Sequence, residues 1–175
     1  MKKIALVIAN KDFRDEEFFI TKKVLEENGI HTVVFSNEVG RAIGKFGGEY
    51  NVEKYISDIN EDDFEGIVFI GGSGAIERLD NNTSYGIIKS FFSAEKIIAA
   101  ICISPVILAR AKVLMLKKAT VWSSNMDKGA ISILKENGAE YIDEPVVVDK
   151  NIVTGQNFEA SRRFGEIIAA LLTNN

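Results

Sequence analysis

Scarcity is the first guide to this chain. Its 175 residues include one cysteine and one histidine. A single cysteine excludes an internal disulfide and fits a reducing compartment, so a cytoplasmic location is expected. With so few His and Cys residues there is no spaced ligand set for a transition metal, and neither a metal nor another cofactor is expected. Positive charge is short as well: 21 Lys and Arg against 25 Asp and Glu leave a net charge of −4. No basic cluster offsets this, since Lys117-Lys118 reads as a solvated turn, and the balance argues against a nucleic-acid partner. Long apolar runs are missing too. No segment approaches the roughly 18 apolar residues of a membrane span. The stretch Ile4 to Ala9 behind Met1-Lys2-Lys3 is too short for a signal peptide and ends in Asn10-Lys11-Asp12. It reads as a first strand.

What is present suffices for a folded core. Hydrophobic residues make up 46% and charged residues 26%, ordinary for a soluble globular protein, and the length suits one domain over residues 1–175. Short, wholly apolar strands are expected at Ile4 to Ala9, Thr32 to Phe35, Gly66 to Ile70 and Ile97 to Ile101. Further strands are expected at Thr120 to Trp122, Val146 to Val148 and Ile152 to Thr154. Helical spacing covers Asp15 to Asn28 with Gly29 closing it, and then Ala75 to Leu79, Ser84 to Phe92, Val106 to Lys112, Asp127 to Asn137 and Glu159 to Leu172. Gly40 to Val52 reads as a hairpin-like excursion. Strands alternating with helices predict a flavodoxin-like, doubly wound, mostly parallel sheet with helices on both faces, a three-layer sandwich.

The chemistry concentrates at Ile97-Ile98-Ala99-Ala100-Ile101-Cys102-Ile103-Ser104-Pro105. A buried strand runs into the sole cysteine, and Pro105 suits the first turn of the helix behind it. This is a strand–Cys–helix nucleophile elbow, at the carboxyl end of a parallel strand where open α/β sheets place ligands. Orphan N–H groups and the positive end of a helix dipole are expected there to favour thiolate. A lone cysteine is otherwise as readily a small core residue. Two other loops should converge on the same spot: the acidic loop Asp15-Glu16-Glu17, which also suits a first helical turn, and Gly71-Gly72-Ser73-Gly74. The glycine loop lacks the Lys-Ser/Thr ending of a P-loop and the full dinucleotide fingerprint.

Ala-Ile-Cys-x-x-Pro after a buried strand, Gly-Gly after the preceding one, and Phe13-Arg14-Asp15-Glu16-Glu17 after the first together resemble the DJ-1/PfpI (ThiJ) superfamily, from Lys3 to about Leu172. The resemblance implies that Cys102 is the reactive residue and that Glu17 shares a hydrogen bond with it. For that, Glu17 must be protonated, with a pKa raised by burial. It further implies that the N–H groups of Gly72 and Ile103 act as oxyanion-type donors. Gly71, Trp122 and Ser123 are pocket candidates, with Trp122 equally readable as core and Ser123 as part of a plain turn.

Departures from the family pattern matter as much. Protease-like members carry His directly after the Cys, where this chain has Ile103. The only histidine, His31, opens the second strand and reads as structural; Glu77 reads as a solvated helix residue. The resemblance therefore implies cofactor-independent glyoxalase or deglycase-type chemistry on methylglyoxal or its adducts. The alternatives are a redox sensor or chaperone working through Cys102 oxidation, and a cysteine peptidase, which the missing histidine disfavours. It also implies a homodimer or higher homo-oligomer, with Phe18-Phe19 and Phe91-Phe92 readable as interface or as core.

Overall fold

The computed structural model describes residues 1–173. Its strands are β1 Lys3–Ile8, β2 Lys11–Phe13, β3 His31–Ser36, β4 Gly40–Gly44, β5 Glu49–Val52, β6 Lys54–Tyr55, β7 Gly66–Phe69, β8 Ile97–Ile101, β9 Lys118–Ala119, β10 Glu140–Tyr141, β11 Val146–Asp149 and β12 Ile152–Gly155. Its helices are α1 Asp15–Glu27, α2 Ser73–Leu79, α3 Asn82–Ser93, α4 Pro105–Arg110, α5 Gly129–Glu136 and α6 Ser161–Thr173.

Seven strands pair in the order β11-β12-β8-β7-β1-β3-β6, all parallel except β11, which runs antiparallel to β12. Leu6 on β1 sits between Val34 of β3 and Val68 of β7. Successive side chains point to opposite faces of a strand. Ala5 and Val7 therefore join the core under α3, α4 and α5, while Ile4, Leu6 and Ile8 join the core under α1 and α6. A strand covered on both faces has no solvent side, which is why β1 from Ile4 onward, β7 and β8 are apolar. Phe18, Leu25, Phe164 and Ile168 fill one layer; Leu79, Phe91, Leu108 and Leu134 fill the other. The doubly wound, three-layer arrangement expected from the sequence is the arrangement observed. No helix among the described residues is long and apolar enough to cross a membrane.

The strand order reverses between β1 and β7: from β1 the chain moves outward to β3, then returns to the other side for β7 and β8. Such a switch point leaves a crevice above the carboxyl ends of the strands. The loops after β1, β7 and β8 meet there.

One expectation needs correction, and two others gain detail. Thr120 to Trp122 is not a strand; pairing falls on β9 and β10 instead. The Thr120 N–H goes to Thr154 Oγ1 at 2.9 Å and the Trp122 N–H to the Cys102 carbonyl at 2.8 Å, so this segment is stitched to strand ends rather than to a ladder. The excursion at Gly40 to Val52 is an antiparallel β4–β5 hairpin, joined through β4 to β2. It buries Ala42 and Val52 and carries Phe46 at its tip, 63% exposed. Finally, Phe18 and Phe91 are fully buried, leaving only Phe19 and Phe92 partly exposed, because one side of each helix faces the sheet.

Candidate active site

Cys102 closes β8 with φ of 63°, a left-handed backbone rare for a non-glycine residue. Its own backbone groups hold it there. The N–H donates to the Gly155 carbonyl at 2.9 Å, and the carbonyl accepts from Trp122 N–H at 2.8 Å. Two residues on, the buried Ser104 hydroxyl donates to the Ile70 carbonyl at 2.8 Å and ties the elbow to the end of β7. Removing that hydroxyl leaves a buried carbonyl unpaired, so Ser104→Ala should cost about 1–2 kcal/mol in a denaturant titration.

The positive end of α1 carries Asp15, Glu16 and Glu17, each with a different use. Asp15 reaches across to the hairpin and accepts from the N–H groups of Phe46 at 2.9 Å and Gly48 at 2.6 Å. Glu16 accepts from Arg14, through Nε at 2.8 Å and Nη2 at 3.2 Å. Glu17 points inward and is fully buried. Its Oε2 accepts from the Gly71 N–H at 2.9 Å, while the buried Oε1 has no conventional hydrogen-bond partner. The Cys102 thiol is the ionisable group beside this carboxyl.

The glycine loop is shaped for this approach. A Cβ on Gly71 would lie 2.6 Å from Glu17 Oε2 and 2.7 Å from Cys102 Cβ. Gly72 has φ of 99°, and a Cβ there would lie 2.3 Å from the Asp12 carbonyl. The N–H groups of Gly72 and Ile103 lie close enough to the sulfur to favour its charged form. They are the donors available to a developing oxyanion on a carbonyl bound at Cys102.

Protonation follows from this packing. Burial raises the Glu17 carboxyl from 4.5 to about 7, against the pull of the thiol, the Gly71 N–H and Arg14. Burial likewise pushes the Cys102 thiol up, the Glu17 charge adds to the rise, and the Gly72 and Ile103 N–H groups pull back without reversing it. The thiolate favoured at a helix start is thus opposed here by burial and by the neighbouring carboxyl. The six-residue α4 begins three positions past the cysteine, and its dipole is outweighed by burial beside a carboxyl. Burial thus raises both groups of this pair.

Two compartments open beside Cys102. One of about 310 Å³ holds Glu17, Ser123, Gln156 and Glu159; the other, of about 360 Å³, holds Lys45, Gly72, Ser73 and Ile103. Arg14 and Trp122 line both and form the divide. Of the residues singled out in the sequence, Cys102, Glu17, Gly71, Gly72, Ile103, Trp122 and Ser123 are brought together here. His31 and Glu77 are not: both lie exposed, away from the crevice, on β3 and α2 respectively. Among the described residues no group of three or more His, Cys, Asp or Glu side chains is placed to hold a metal ion.

Arg14 is the residue that sequence reasoning passed over. Its guanidinium lies 4.7 Å from the centre of the Phe46 ring and 4.3 Å from that of Phe158. The available signal was a cation at the start of an acidic helix, where the dipole favours the opposite charge.

A sequence model described as the DJ-1/PfpI family matches residues 2–171. A Methanocaldococcus jannaschii protein named only as uncharacterized is 45% identical over 175 residues, covering 99% of this chain and 84% of its own length. A protein of Thermococcus kodakarensis named as a deglycase is 33% identical over 153 residues, 87% of this chain and 89% of its own. A Bacillus subtilis relative named as a putative cysteine protease is 34% identical over 157 residues, 89% of either chain. Among solved structures, a ThiJ/PfpI domain protein from Brachyspira murdochii superposes with a TM-score of 0.92 at 34% identity, covering 99% of this chain and 97% of that one.

Proposed function

The chain belongs to the DJ-1/PfpI family, and from that premise we propose that it carries out cysteine-dependent glyoxalase or deglycase-type chemistry on small reactive aldehydes such as methylglyoxal, or on their adducts. The observation that carries this reading is the buried Glu17 carboxyl, raised to about 7, beside the Cys102 thiol with no imidazole at the elbow. A general base works best with a pKa near the operating pH. Glu17 has that property, and the thiol beside it supplies a proton for it to move.

In the reaction, Sγ of Cys102 bonds to the aldehyde carbon, and the thiol proton passes through Glu17 to the carbonyl oxygen, giving a hemithioacetal. The N–H groups of Gly72 and Ile103 stabilise the charge that develops on that oxygen. The Glu17 carboxylate then takes the hydrogen of the former aldehyde carbon as a proton and returns it to the adjacent carbonyl carbon, while the hydroxyl proton shifts from the first oxygen to the second. The product is a thioester of a 2-hydroxy acid, which water hydrolyses to free the thiol. The sum is α-oxoaldehyde plus water to 2-hydroxy acid, with no oxidant or reductant required.

Turnover of methylglyoxal by purified protein is the test. Cys102→Ala should abolish it, and Glu17→Gln should lower kcat/KM by roughly 10²–10⁴. Wild-type activity no greater than that of Cys102→Ala would sink the proposal. The same geometry weakens the two other readings. A peroxide sensor depends on thiolate character at rest, and burial beside Glu17 works against it by pushing the thiol up. A peptidase needs an imidazole near the sulfur, and Ile103 occupies the position after the cysteine.

A further inference from the structure

We propose that the compartment on the Ile103 side of Cys102 is a carboxylate subsite built from Arg14 and Lys45. The preferred substrates are then α-oxoaldehydes that carry a carboxylate, rather than neutral methylglyoxal. The reacting carbonyl in this statement rests on the glyoxalase-type reading; the preference for an anion next to the sulfur does not.

Arg14 is fixed before any ligand arrives. The rings of Phe46 and Phe158 lie against its guanidinium at 4.7 Å and 4.3 Å, one from the hairpin tip and one from the turn before α6. A charged side chain held between two rings has already lost the rotamer freedom that binding would otherwise take away. Glu16 occupies only the Nε and Nη2 edge, leaving Nη1 free for a ligand. Lys45 stands next to Phe46 in the chain and joins Arg14 in lining the same compartment. Among the described residues it takes part in no ion pair.

Charge decides which compartment takes the anion. Arg14 lines both, but the smaller one adds the carboxyls of Glu17 and Glu159, whereas the larger one adds Lys45 and no acid. With Glu16 offsetting one of those cations, the net charge suits a monoanion. The donors left over are one guanidinium edge and one ammonium, which matches two carboxylate oxygens. A phosphate dianion would exceed the single net positive charge of this compartment. The hydrophobic walls, Ile103 and Trp122, suit a short alkyl link between the carboxylate and the carbonyl held at Cys102.

Alkylation of Cys102 by iodoacetate against iodoacetamide reads the subsite without any turnover, since the two reagents differ chiefly in charge. Rates of modification by mass spectrometry are divided, anion over neutral, and referred to the same ratio for free cysteine. The wild type should exceed the free thiol by about tenfold. Lys45→Gln and Arg14→Gln should each bring the ratio down toward that of the free thiol, and Glu16→Gln, which removes the charge that offsets Arg14, should raise it. Lys45 is exposed on the hairpin, so its variant tests the idea even where Arg14→Gln disturbs folding. A wild-type ratio equal to the free thiol, or one unmoved by Lys45→Gln and Glu16→Gln, overturns the subsite.

The substrate arm compares 4,5-dioxopentanoate, which glyoxalase-type chemistry converts with one water to 2-hydroxyglutarate, against methylglyoxal. A kcat/KM ratio of about ten or more in favour of the carboxylate supports the preference. A ratio near one, with methylglyoxal turned over, overturns it. If neither compound is turned over while the alkylation bias holds, the glyoxalase-type reading fails and the subsite stands.

Discussion

Glu17→Gln should give a protein more stable than the wild type at pH 8 and nearly without turnover. The folded-state carboxyl titrates at about 7 instead of 4.5 because it is buried. Below pH 4.5 it is protonated in both folded and unfolded chains and makes no difference. From 4.5 to about 7 the folded chain keeps a proton that the unfolded chain has lost, so stability falls as pH rises through this window. Above pH 7 a buried charge remains, and the span from 4.5 to about 7 corresponds to about 3 kcal/mol. Glutamine keeps the shape and an oxygen for the Gly71 N–H, and has no charge to bury. At pH 8 the Tm of the variant should lie above that of the wild type by roughly 5–10 °C, and the gap should close toward pH 4. Calorimetry across this pH range checks it. Equal Tm values at pH 8 would show that Glu17 stays protonated, or is better solvated than its burial implies. A protein holding a destabilising group where its chemistry needs one is the trade-off expected of an active site.

Gly72→Ala should fail in both stability and activity. With φ of 99° and the Asp12 carbonyl 2.3 Å from where a Cβ would sit, alanine forces either the glycine loop or β2 to move. A loss of about 3 kcal/mol or more in urea unfolding is expected. Because the displaced amide is one of the two lying close to the sulfur, methylglyoxal turnover should fall by roughly 10²–10³ beyond any effect of unfolding. Gly86 is the control. It lies exposed within α3 with nothing within 4 Å of a built Cβ, and alanine there should stabilise by about 0.5–1 kcal/mol. A Gly72→Ala protein as stable as the wild type would mean the loop has slack that the packing does not show.

Residues whose surroundings lie close in the chain were legible from the sequence. The apolar runs of β1, β7 and β8 announced strands covered on both faces, and Gly-Gly and Cys-x-x-Pro announced the corners after two of them. Glu17 was separated from the other two acids of its loop by the family resemblance, not by the local pattern. What escaped depends on distant partners. Phe46 and Phe158 reach Arg14 from a hairpin and from the far end of the chain, and no spacing rule links them. The segment 120–122 is apolar enough for a strand, but its N–H groups are claimed by Thr154 and Cys102. The upward shift of the Cys102 thiol escaped for a related reason. The rule that a helix start favours thiolate is local, whereas burial and the neighbouring Glu17 charge arise only from the packed fold.

The backbone of residue 102 also bears on descent. Its φ of 63° suits glycine, asparagine and aspartate better than cysteine, and its N–H and carbonyl already hold Gly155 and Trp122. A lineage that lost the need for a thiol would meet no structural resistance in replacing it, and glycine would relieve roughly 1 kcal/mol of strain. Chemistry at this corner is thus easy to lose and leaves no trace in the fold. Among chains of this architecture, the residue at this one position says more about whether the crevice still reacts than any measure of overall likeness.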